Sequence, residues 1–429
     1  MENNTEGKEL VKVILAGLDL NTKKDFDHSM EEMESLCEAC DLEVVCIVTQ
    51  KLPHPEAGTY LGSGKVEELE MYAKNLEAEY CVFEGNLSPA QQKNLQKMIG
   101  IPVWDRTNLI LEIFSRRAKT REARLQVESA YLQYMLPRLS GMWQHLGRQS
   151  GGSGSMSNKG VGETQLELDR RHIKHRIAEL SRELDAITRT RDTQRQGRKK
   201  GELPLAAMVG YTNAGKSTLM NRLLRISGST TEKEVFEKDM LFATLDTSIR
   251  RIDAEDNRSF LLSDTVGFIE DLPHGLIKAF RSTLEEAANA DLLLIVLDAS
   301  DPYYLEHKKV AEDTLKELNA DKIPRLYIMN KTDLVIDKKP GLINPADKTV
   351  YISSFTGDGI DALLTLIKEE LYADTINLKL LIPYTNGELV SRLHEKANIY
   401  KEDYTGEGTY LEADCPGKML SELERFIIK

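Results

Sequence analysis

The residues best suited to chemistry form a phosphate-binding loop near the middle of the chain. Residues 210–217 are GYTNAGKS, which matches the phosphate-loop pattern G-x-x-x-x-G-K-[ST]. Glycines let backbone N–H groups turn toward phosphate oxygens, and an amphipathic helix follows the loop. We expect Lys216 to reach the β- and γ-phosphates and the Ser217 hydroxyl to ligate Mg²⁺. The predicted nucleotide contacts here are Gly210, Tyr211, Thr212, Asn213, Ala214, Gly215, Lys216 and Ser217.

A D-x-x-G turn follows the phosphate loop along the chain. Asp264, Thr265, Val266 and Gly267 come directly after the apolar run SFLLS. That position is the carboxyl end of a predicted strand, where open α/β sheets bind their ligands. We expect Asp264 to hold Mg²⁺ through water and the Gly267 N–H to contact the γ-phosphate.

A threonine-containing segment lies between those two motifs, in LFATLDTS at residues 241–248. Thr244 is the candidate second hydroxyl ligand of Mg²⁺ beside Ser217, because of this position between the phosphate loop and the turn. The predicted metal ligands are therefore Ser217 and Thr244, and the predicted catalytic contacts come from Lys216, Thr244 and Gly267. Neighbours predicted to line the nucleotide are Phe242, Ala243, Leu245 and Asp246.

A fourth motif predicts which base is bound. Asn330, Lys331, Thr332 and Asp333 follow the apolar strand RLYIM. The Asp333 carboxylate can accept both the N1–H and the 2-amino proton of guanine, whereas adenine offers neither donor. Residues predicted to complete the base pocket follow VYI and are Ser353, Ser354 and Phe355. The four motifs in this order predict a GTP-binding and GTP-hydrolysing enzyme with Mg²⁺ as its cofactor.

One position departs from the pattern of Ras-like GTPases. Phe268 follows the D-x-x-G turn, where many of these enzymes carry a glutamine that orients the attacking water. An apolar side chain cannot polarise water. We therefore expect slow intrinsic hydrolysis, accelerated by a partner or by another loop.

The chain before the phosphate loop divides into two parts. Residues 9–104 alternate apolar runs with amphipathic stretches in the order β-α-β-α-β-α-β, which predicts a small parallel sheet. Two long helices are then predicted, from about 105 to 137 and from about Glu163 to Gln194. A heptad seam marks the second helix, and the two are expected to pair as an antiparallel hairpin; the seam residues are Leu166, Ile173, Ile177, Leu180, Leu184 and Ile187.

A glycine- and serine-rich stretch joins the two predicted helices. Residues 147–162 include six glycines and four serines, which argues against a helix there. A flexible linker is one interpretation, but a linker between paired helices could be far shorter, so the length favours a functional loop. The segment RQGRKKGE at 195–202 is predicted to end the second helix.

Charge is distributed unevenly along the chain. The formal net charge is −13, which argues against a uniformly basic nucleic-acid binder. Residues 115–200 nevertheless carry 19 Lys and Arg against 9 Asp and Glu, a net of +10, so the rest carries −23. A basic segment on an acidic body favours a polyanionic partner, although a solvated helical face would show the same charge.

The remaining chain completes the predicted architecture. After Tyr372, strand and helix patterns alternate as β-α-β-β-α, a small α+β module. The predicted fold is α/β: a P-loop GTPase domain with an N-terminal parallel α/β domain, a long antiparallel helical hairpin and a small C-terminal α+β module. The expected domain bounds are 1–112, 113–200, 201–372 and 373–429.

Cysteine content and hydropathy indicate the compartment. Five cysteines in a long chain argue against a disulfide framework, and the C-x-x-C of Cys37 and Cys40 is expected to lie on one face of a helix. The first residues lack a secretory pattern, and no apolar run reaches the length of a membrane span. A cytoplasmic monomer without an integral membrane segment is expected; peripheral membrane association stays open.

Several stretches together resemble the HflX family of bacterial GTPases. They are GTYLGSGKVEEL at 58–69, ARLQVESAYLQYMLPRLSG at 123–141, KGVGETQLELDRR at 159–171, GYTNAGKST, and LFATLD followed by DTVGF. Several lie outside the GTPase motifs, so the similarity is to this family rather than to GTPases in general. Val161 stands where the family usually has proline, and SMSNK replaces a more glycine-rich stretch.

The resemblance implies a ribosome-associated GTPase. Members of the family bind the large ribosomal subunit and split ribosomes under stress, with the helical hairpin and its loop entering ribosomal RNA. Some members bind ATP in the N-terminal domain; here GSGK at 62–65 is only a fragment of a phosphate loop, so ATP binding stays open. Two alternatives also remain: a GTP-dependent switch for a non-ribosomal protein or membrane-surface partner, and a nucleic-acid remodelling protein driven by the N-terminal domain.

Overall fold

The described chain falls into two compact units. A computed structural model describes residues 10–20, 26–139, 158–200, 203–228, 248–253, 258–265, 267–269 and 286–428. Described residues up to Arg189 form one unit, and those from Thr190 form the other. Within these ranges, the structure contains no helix with the length and apolar character needed to cross a membrane.

The first unit begins with a parallel four-stranded sheet in the order β2-β1-β3-β4. Its strands are β1 Val11–Asp19, β2 Leu42–Lys51, β3 Tyr80–Phe83 and β4 Val103–Asp105. The connecting helices are α1 Phe26–Ala39, α2 Ser63–Asn75 and α3 Pro89–Ile99. The predicted alternation of strands and helices is confirmed, and helices on both faces explain the continuous apolar runs.

The C-x-x-C motif lies at the end of α1, with Cys37 in the last turn of the helix and Cys40 in the turn that follows it. Cys37 and Cys40 are both free and buried. Burial raises the pKa of the Cys40 thiol to about 12, with Arg116 opposing the shift. Burial also raises the pKa of Cys37. Both thiols therefore stay protonated near neutral pH and pack as small apolar side chains.

The first long helix is broken, which corrects the prediction of one helix over 105–137. The structure has α4 Arg106–Arg117 and α5 Arg121–Met135. Ala118 is extended after α4, and the Thr120 hydroxyl accepts from the Ala123 N–H at 3.2 Å to cap α5. A threonine N-cap satisfies one of the free N–H groups at a helix start, so the chain gains a new helix without a long loop.

The helix α6 Asn158–Lys200 is longer than predicted at both ends. It includes residues 158–162 of the stretch predicted to be non-helical, and it continues through 195–200, where a break was predicted. Residues 147–157 lie outside the described chain. The sequence at 195–200 consists mainly of arginine, lysine and glutamine, which are good helix formers and offset the single glycine at 197.

Ion pairs between α5 and α6 show that the two helices run antiparallel. Arg121 pairs with Glu183 at 2.8 Å, and Arg176 pairs with Glu128 at 2.8 Å. The two pairs are seven residues apart on each helix, in opposite directions. Leu180 is buried and the neighbouring seam residues of α6 are half-buried between exposed polar ones, as the heptad spacing predicts.

The second unit is built on a seven-stranded sheet in the order β10-β11-β9-β8-β5-β7-β6. Its strands are β5 Leu205–Gly210, β6 Ser248–Ile252, β7 Phe260–Asp264, β8 Leu292–Asp298, β9 Arg325–Asn330, β10 Ile343–Asn344 and β11 Thr349–Tyr351. Helices that pack on it are α7 Lys216–Ile226, α8 Tyr304–Glu317 and α9 Ile360–Leu371. The neighbours β7, β5, β8, β9 and β11 are parallel, so their carboxyl ends meet at one edge.

The C-terminal module has the predicted order and packs within the second unit. Its elements are β12 Thr375–Ile382, α10 Gly387–Lys396, β13 Asn398–Thr405, β14 Gly408–Pro416 and the short α11 Leu420–Leu423. The antiparallel sheet has the order β12-β14-β13. Arg258 pairs with Asp414 at 2.8 Å, which ties the edge before β7 to this module.

Candidate functional site

The phosphate loop leaves the central strand β5 and enters α7, as its sequence predicted. Gly210 has φ +154°, and a Cβ there would lie 2.2 Å from the Val296 carbonyl oxygen. Gly215 has φ +86°, a left-handed conformation that favours glycine. Both glycines are therefore required by the path of the backbone, which wraps the loop around the amino end of α7.

Lys216 is buried inside this loop. Its Nζ donates to the carbonyl oxygens of Gly210 at 3.1 Å and Tyr211 at 2.7 Å. Burial lowers the pKa of the Lys216 amino group to about 8, while the nearby Asp264 carboxylate opposes that shift. An ammonium group held in this position is ready to exchange loop carbonyls for phosphate oxygens, because it has three N–H donors.

A hydroxyl and a carboxylate meet beside the lysine. The Ser217 Oγ donates to Asp264 Oδ2 at 3.0 Å, and Asp264 is fully buried at the end of β7. Next to it, the Thr265 Oγ1 donates to the Met208 carbonyl oxygen at 2.6 Å, which fixes the start of the D-x-x-G turn on β5. Hard oxygen donors this close together suit a magnesium ion.

The end of the turn is joined to the phosphate loop by backbone hydrogen bonds. The Phe268 N–H donates to the Gly210 carbonyl at 2.9 Å, and the Thr212 N–H donates to the Phe268 carbonyl at 2.8 Å. Gly267 fits closely against the loop, since a Cβ there would lie 2.8 Å from Thr212 Cγ2 and 3.0 Å from Lys216 Nζ. The D-x-x-G turn and the phosphate loop are therefore in direct contact at Gly267.

Asn330 connects the phosphate loop with the predicted base pocket. Its side chain is fully buried; Nδ2 donates to the Ala214 carbonyl at 2.9 Å, and Oδ1 accepts from the Ser354 N–H at 2.9 Å. The Asn330 amide thus links the phosphate loop, through its nitrogen, to the loop at Ser354, through its oxygen.

The other residues of the NKTD motif have distinct positions. Asp333 Oδ1 accepts from the Ser353 hydroxyl at 2.6 Å, so the carboxylate already has one orienting partner. Lys331 adopts a left-handed conformation with φ +61°, and its Nζ pairs with Asp298 Oδ2 at 2.8 Å. These contacts orient the edge of the pocket that would recognise a base.

Residues that the sequence reasoning missed also shape the site. Arg222 of α7 donates to the carbonyl oxygens of Ser354 at 3.2 Å and of Phe355. A second missed contact is the stack of Tyr211 on His307, with ring centroids 3.7 Å apart and planes 10° from parallel. No local motif marks Arg222 or His307, because their partners are 132 and 96 residues away in sequence.

The predicted site residues divide into those brought together and those outside the described chain. The phosphate loop, Asp264, Thr265, Gly267, the NKTD residues and residues 353–355 all lie at the carboxyl edge of the same sheet. Phe355 takes part through its backbone, since its side chain is 78% exposed. The predictions that fall outside the described residues are those for Phe242, Ala243, Thr244, Leu245, Asp246 and Val266.

Family models match most of the chain in three consecutive blocks. Residues 27–115 match the model described as GTP-binding GTPase N-terminal, and residues 117–198 match the GTP-binding GTPase Middle Region. Residues 205–331, which contain the phosphate loop and the start of the NKTD motif, match the model described as 50S ribosome-binding GTPase.

Curated relatives match across nearly the whole length. A protein of Caldanaerobacter subterraneus subsp. tengcongensis named GTPase HflX is 40% identical over 428 residues, covering 100% of this chain and 96% of the relative. GTPase HflX of Escherichia coli K12 is 40% identical over 403 residues, covering 93% of this chain and 92% of the relative.

Solved structures that match the chain include the complex of SsGBP with GDP. It is 24% identical, covers 84% of this chain and 98% of that chain, and has a TM-score of 0.49. A GTP-binding protein of Sulfolobus solfataricus in complex with GDP is likewise 24% identical, with the same coverage and a TM-score of 0.44.

Proposed function

The chain belongs to the GTPase HflX family, and on that basis we propose how its nucleotide site and its basic hairpin act together on the large ribosomal subunit. The protein is a GTPase. The observation that carries the ribosomal proposal is the match of residues 205–331 to a 50S ribosome-binding GTPase. In this proposal the protein binds the large subunit in its GTP form and splits or rescues stalled ribosomes in the cytoplasm.

The nucleotide site would work through the contacts of its described residues. Backbone N–H groups of residues 213–217, at the start of α7, would surround the phosphates, and Lys216 would exchange its two carbonyl partners for β- and γ-phosphate oxygens. Asp333, already oriented by Ser353, would accept the two guanine N–H groups. Residues 353–355 would close the base pocket, held by Asn330 and Arg222.

Magnesium fits the oxygen donors beside Lys216. We assign Ser217 as a direct ligand, Asp264 as a ligand through water and Thr244 as the second hydroxyl ligand. When bound, Mg²⁺ neutralises the charge that develops on the β- and γ-phosphate oxygens. The close packing of Gly267 on Thr212 would let the turn report whether a γ-phosphate is present, because a shift there must move the loop.

The helical hairpin would supply attraction to RNA. The antiparallel pairing of α5 and α6 places residues 116–124 and 182–189 at the same end, because Arg121 lies beside Glu183. Five basic residues and one acidic residue fall between 116 and 124. In sequence, the glycine-rich stretch connects the other ends of these two helices, so phosphate attraction and loop insertion are expected to be separable functions.

Sedimentation with purified large subunits tests the proposal directly. The protein should co-sediment with a non-hydrolysable GTP analogue and less with GDP, and binding should weaken as salt rises through counterion release. Replacing exposed Arg124 and Arg182 with glutamine should reduce the slope of log affinity against log salt, by about 0.7 to 0.9 for each phosphate that is no longer neutralised. Binding that is equal in both nucleotides and insensitive to salt would refute a GTP-dependent RNA contact.

A loop deletion separates the two hairpin functions. Removing residues 147–157, with a short turn in their place, should leave GDP affinity and the salt slope unchanged, because the phosphate loop and the charged residues of the two helices are retained. Ribosome splitting and stimulation of GTP hydrolysis by ribosomes should disappear. A deletion variant that splits ribosomes like the parent would show that this stretch is only a linker.

A further inference from the structure

Thr212, inside the phosphate loop, has a polar group that the proposed phosphate and magnesium contacts do not use. The residue is only 6% exposed. Its N–H donates to the Phe268 carbonyl, and its methyl group packs against Gly267. Its Oγ1 is buried and makes no hydrogen bond within the described parts of the chain.

A buried hydroxyl normally finds a partner, since leaving it unpaired costs free energy. Thr265 shows the ordinary case nearby, because its Oγ1 donates to the Met208 carbonyl at 2.6 Å. Ser248, Ser263 and Thr332 also have buried hydroxyls without a partner among the described residues, but Ser248 lies in β6, Ser263 in β7 and Thr332 in the NKTD motif. Thr212 differs in its location, because its methyl group and Lys216 Nζ both lie close to Gly267.

Phe268, whose backbone is hydrogen-bonded to Thr212, stands where many GTPases carry a glutamine that orients the attacking water. Phe268 is buried and apolar, and its backbone N–H and C=O are both used by the phosphate loop. Its ring cannot accept a proton from water or orient one. A polar side chain at the junction of Gly267 and Lys216 could take that role, and the Thr212 hydroxyl belongs to a residue at this junction.

We propose that the Thr212 hydroxyl positions the attacking water by accepting a hydrogen bond from it. The inference rests on the proposed phosphate site. The water oxygen forms a bond to the γ-phosphorus, and the bond from that phosphorus to the bridging oxygen breaks, with its electron pair leaving on GDP. The proton released by the water goes to inorganic phosphate or solvent, so Thr212 neither gains nor loses a proton.

Two substitutions test the role of the hydroxyl. Thr212→Val keeps the shape and the methyl contact with Gly267 but removes Oγ1, whereas Thr212→Ser keeps the hydroxyl and removes the methyl. The single-turnover rate of Thr212→Val should fall about 10- to 100-fold, with GDP affinity within about twofold of the parent. Thr212→Ser should retain a rate within about threefold of the parent.

Three results would overturn the proposal. They are a parental rate in Thr212→Val, an equal fall in both variants, and a loss of GDP affinity in Thr212→Val that matches its loss of rate. Lys216→Ala, measured in parallel, separates this inference from the site assignment. Turnover retained in Lys216→Ala would refute the phosphate site itself, whereas an inactive Lys216→Ala beside a fully active Thr212→Val would refute only the role of Thr212.

Discussion

Replacing Asn330 with alanine should uncouple the phosphate loop from the base pocket. The substitution removes both hydrogen bonds of the buried amide, so the Ala214 carbonyl and the Ser354 N–H each lose their bond to Asn330. Each buried polar group left unpaired costs about 1–3 kcal/mol, so the expected total is about 2–6 kcal/mol. Both groups belong to loops that contact the nucleotide in our proposal, so most of this cost should appear in nucleotide binding.

The assay is GDP affinity and dissociation rate, measured with a fluorescent GDP analogue. Binding that is less favourable by about 2 kcal/mol is roughly 30-fold weaker, and this is the minimum effect expected for Asn330→Ala. Asn344→Ala is the matched control, because Asn344 is exposed on the edge strand β10 and its side-chain oxygen accepts a local hydrogen bond, from the Ala346 N–H at 3.2 Å. Far-UV circular dichroism confirms that each variant is folded. GDP affinity of Asn330→Ala within threefold of the parent would refute the reasoning.

Three further predictions follow from other contacts. Arg222→Ala should raise the GDP dissociation rate about tenfold, because the loop at 354–355 loses two donated hydrogen bonds, and Arg222→Lys should restore only part of it; an unchanged rate would contradict this. Gly215→Ala should weaken nucleotide binding at least about 30-fold, since its φ is +86° and the new Cβ would lie 2.3 Å from Asn330 Nδ2; equal affinities by calorimetry would contradict it. Burial raises the pKa of Asp414, but hydrogen bonds from Tyr400 and Asn377 and the Arg258 guanidinium outweigh it and lower that pKa. Asp414→Asn should therefore destabilise the protein at pH 7, and its difference from the parent in free energy of unfolding should shrink as pH falls below about 4; a difference that is constant with pH would contradict it.

The sequence predicted the elements whose signals are local. The strand, glycine loop and helix around Lys216 are contiguous, so their pattern could be recognised without any long-range contact. The N-terminal alternation and the C-terminal β-α-β-β-α order were predicted for the same reason, because periodicity reports which face of an element is buried. The heptad seam likewise predicted the exposed and less exposed faces of α6.

Features that depend on competing local signals were predicted wrongly. Thr120 starts a new helix inside a stretch with continuous helical character, because its hydroxyl caps the Ala123 N–H. The start of α6 at Asn158 includes glycines at 160 and 162, which composition alone assigned to a loop. Helix ends are set by small differences in free energy between capping, propensity and packing, so they are the least certain part of a sequence interpretation.

The contacts of the site that depend on distant partners could not be predicted from sequence. Asn330 was expected in the motif, but its role as a bridge requires knowing that Ala214 and Ser354 lie on either side of it. Arg222 and His307 belong to no motif, and their contacts arise only when α7 and α8 pack against the loops. The tertiary fold therefore adds the residues that position the chemistry, whereas the motifs gave those that perform it.

A change of base specificity at Asp333 tests the nucleotide site most directly. Asp333→Asn replaces the carboxylate that would accept the guanine N–H groups with an amide that can donate to the 2-oxygen of xanthine. We predict that kcat/KM for GTP falls at least about 100-fold while kcat/KM for xanthosine triphosphate rises above that of the parent. A gain of activity on xanthosine triphosphate cannot come from misfolding. Unchanged GTP hydrolysis in this variant would contradict the proposed base pocket and, with it, the placement of the nucleotide at this edge of the sheet.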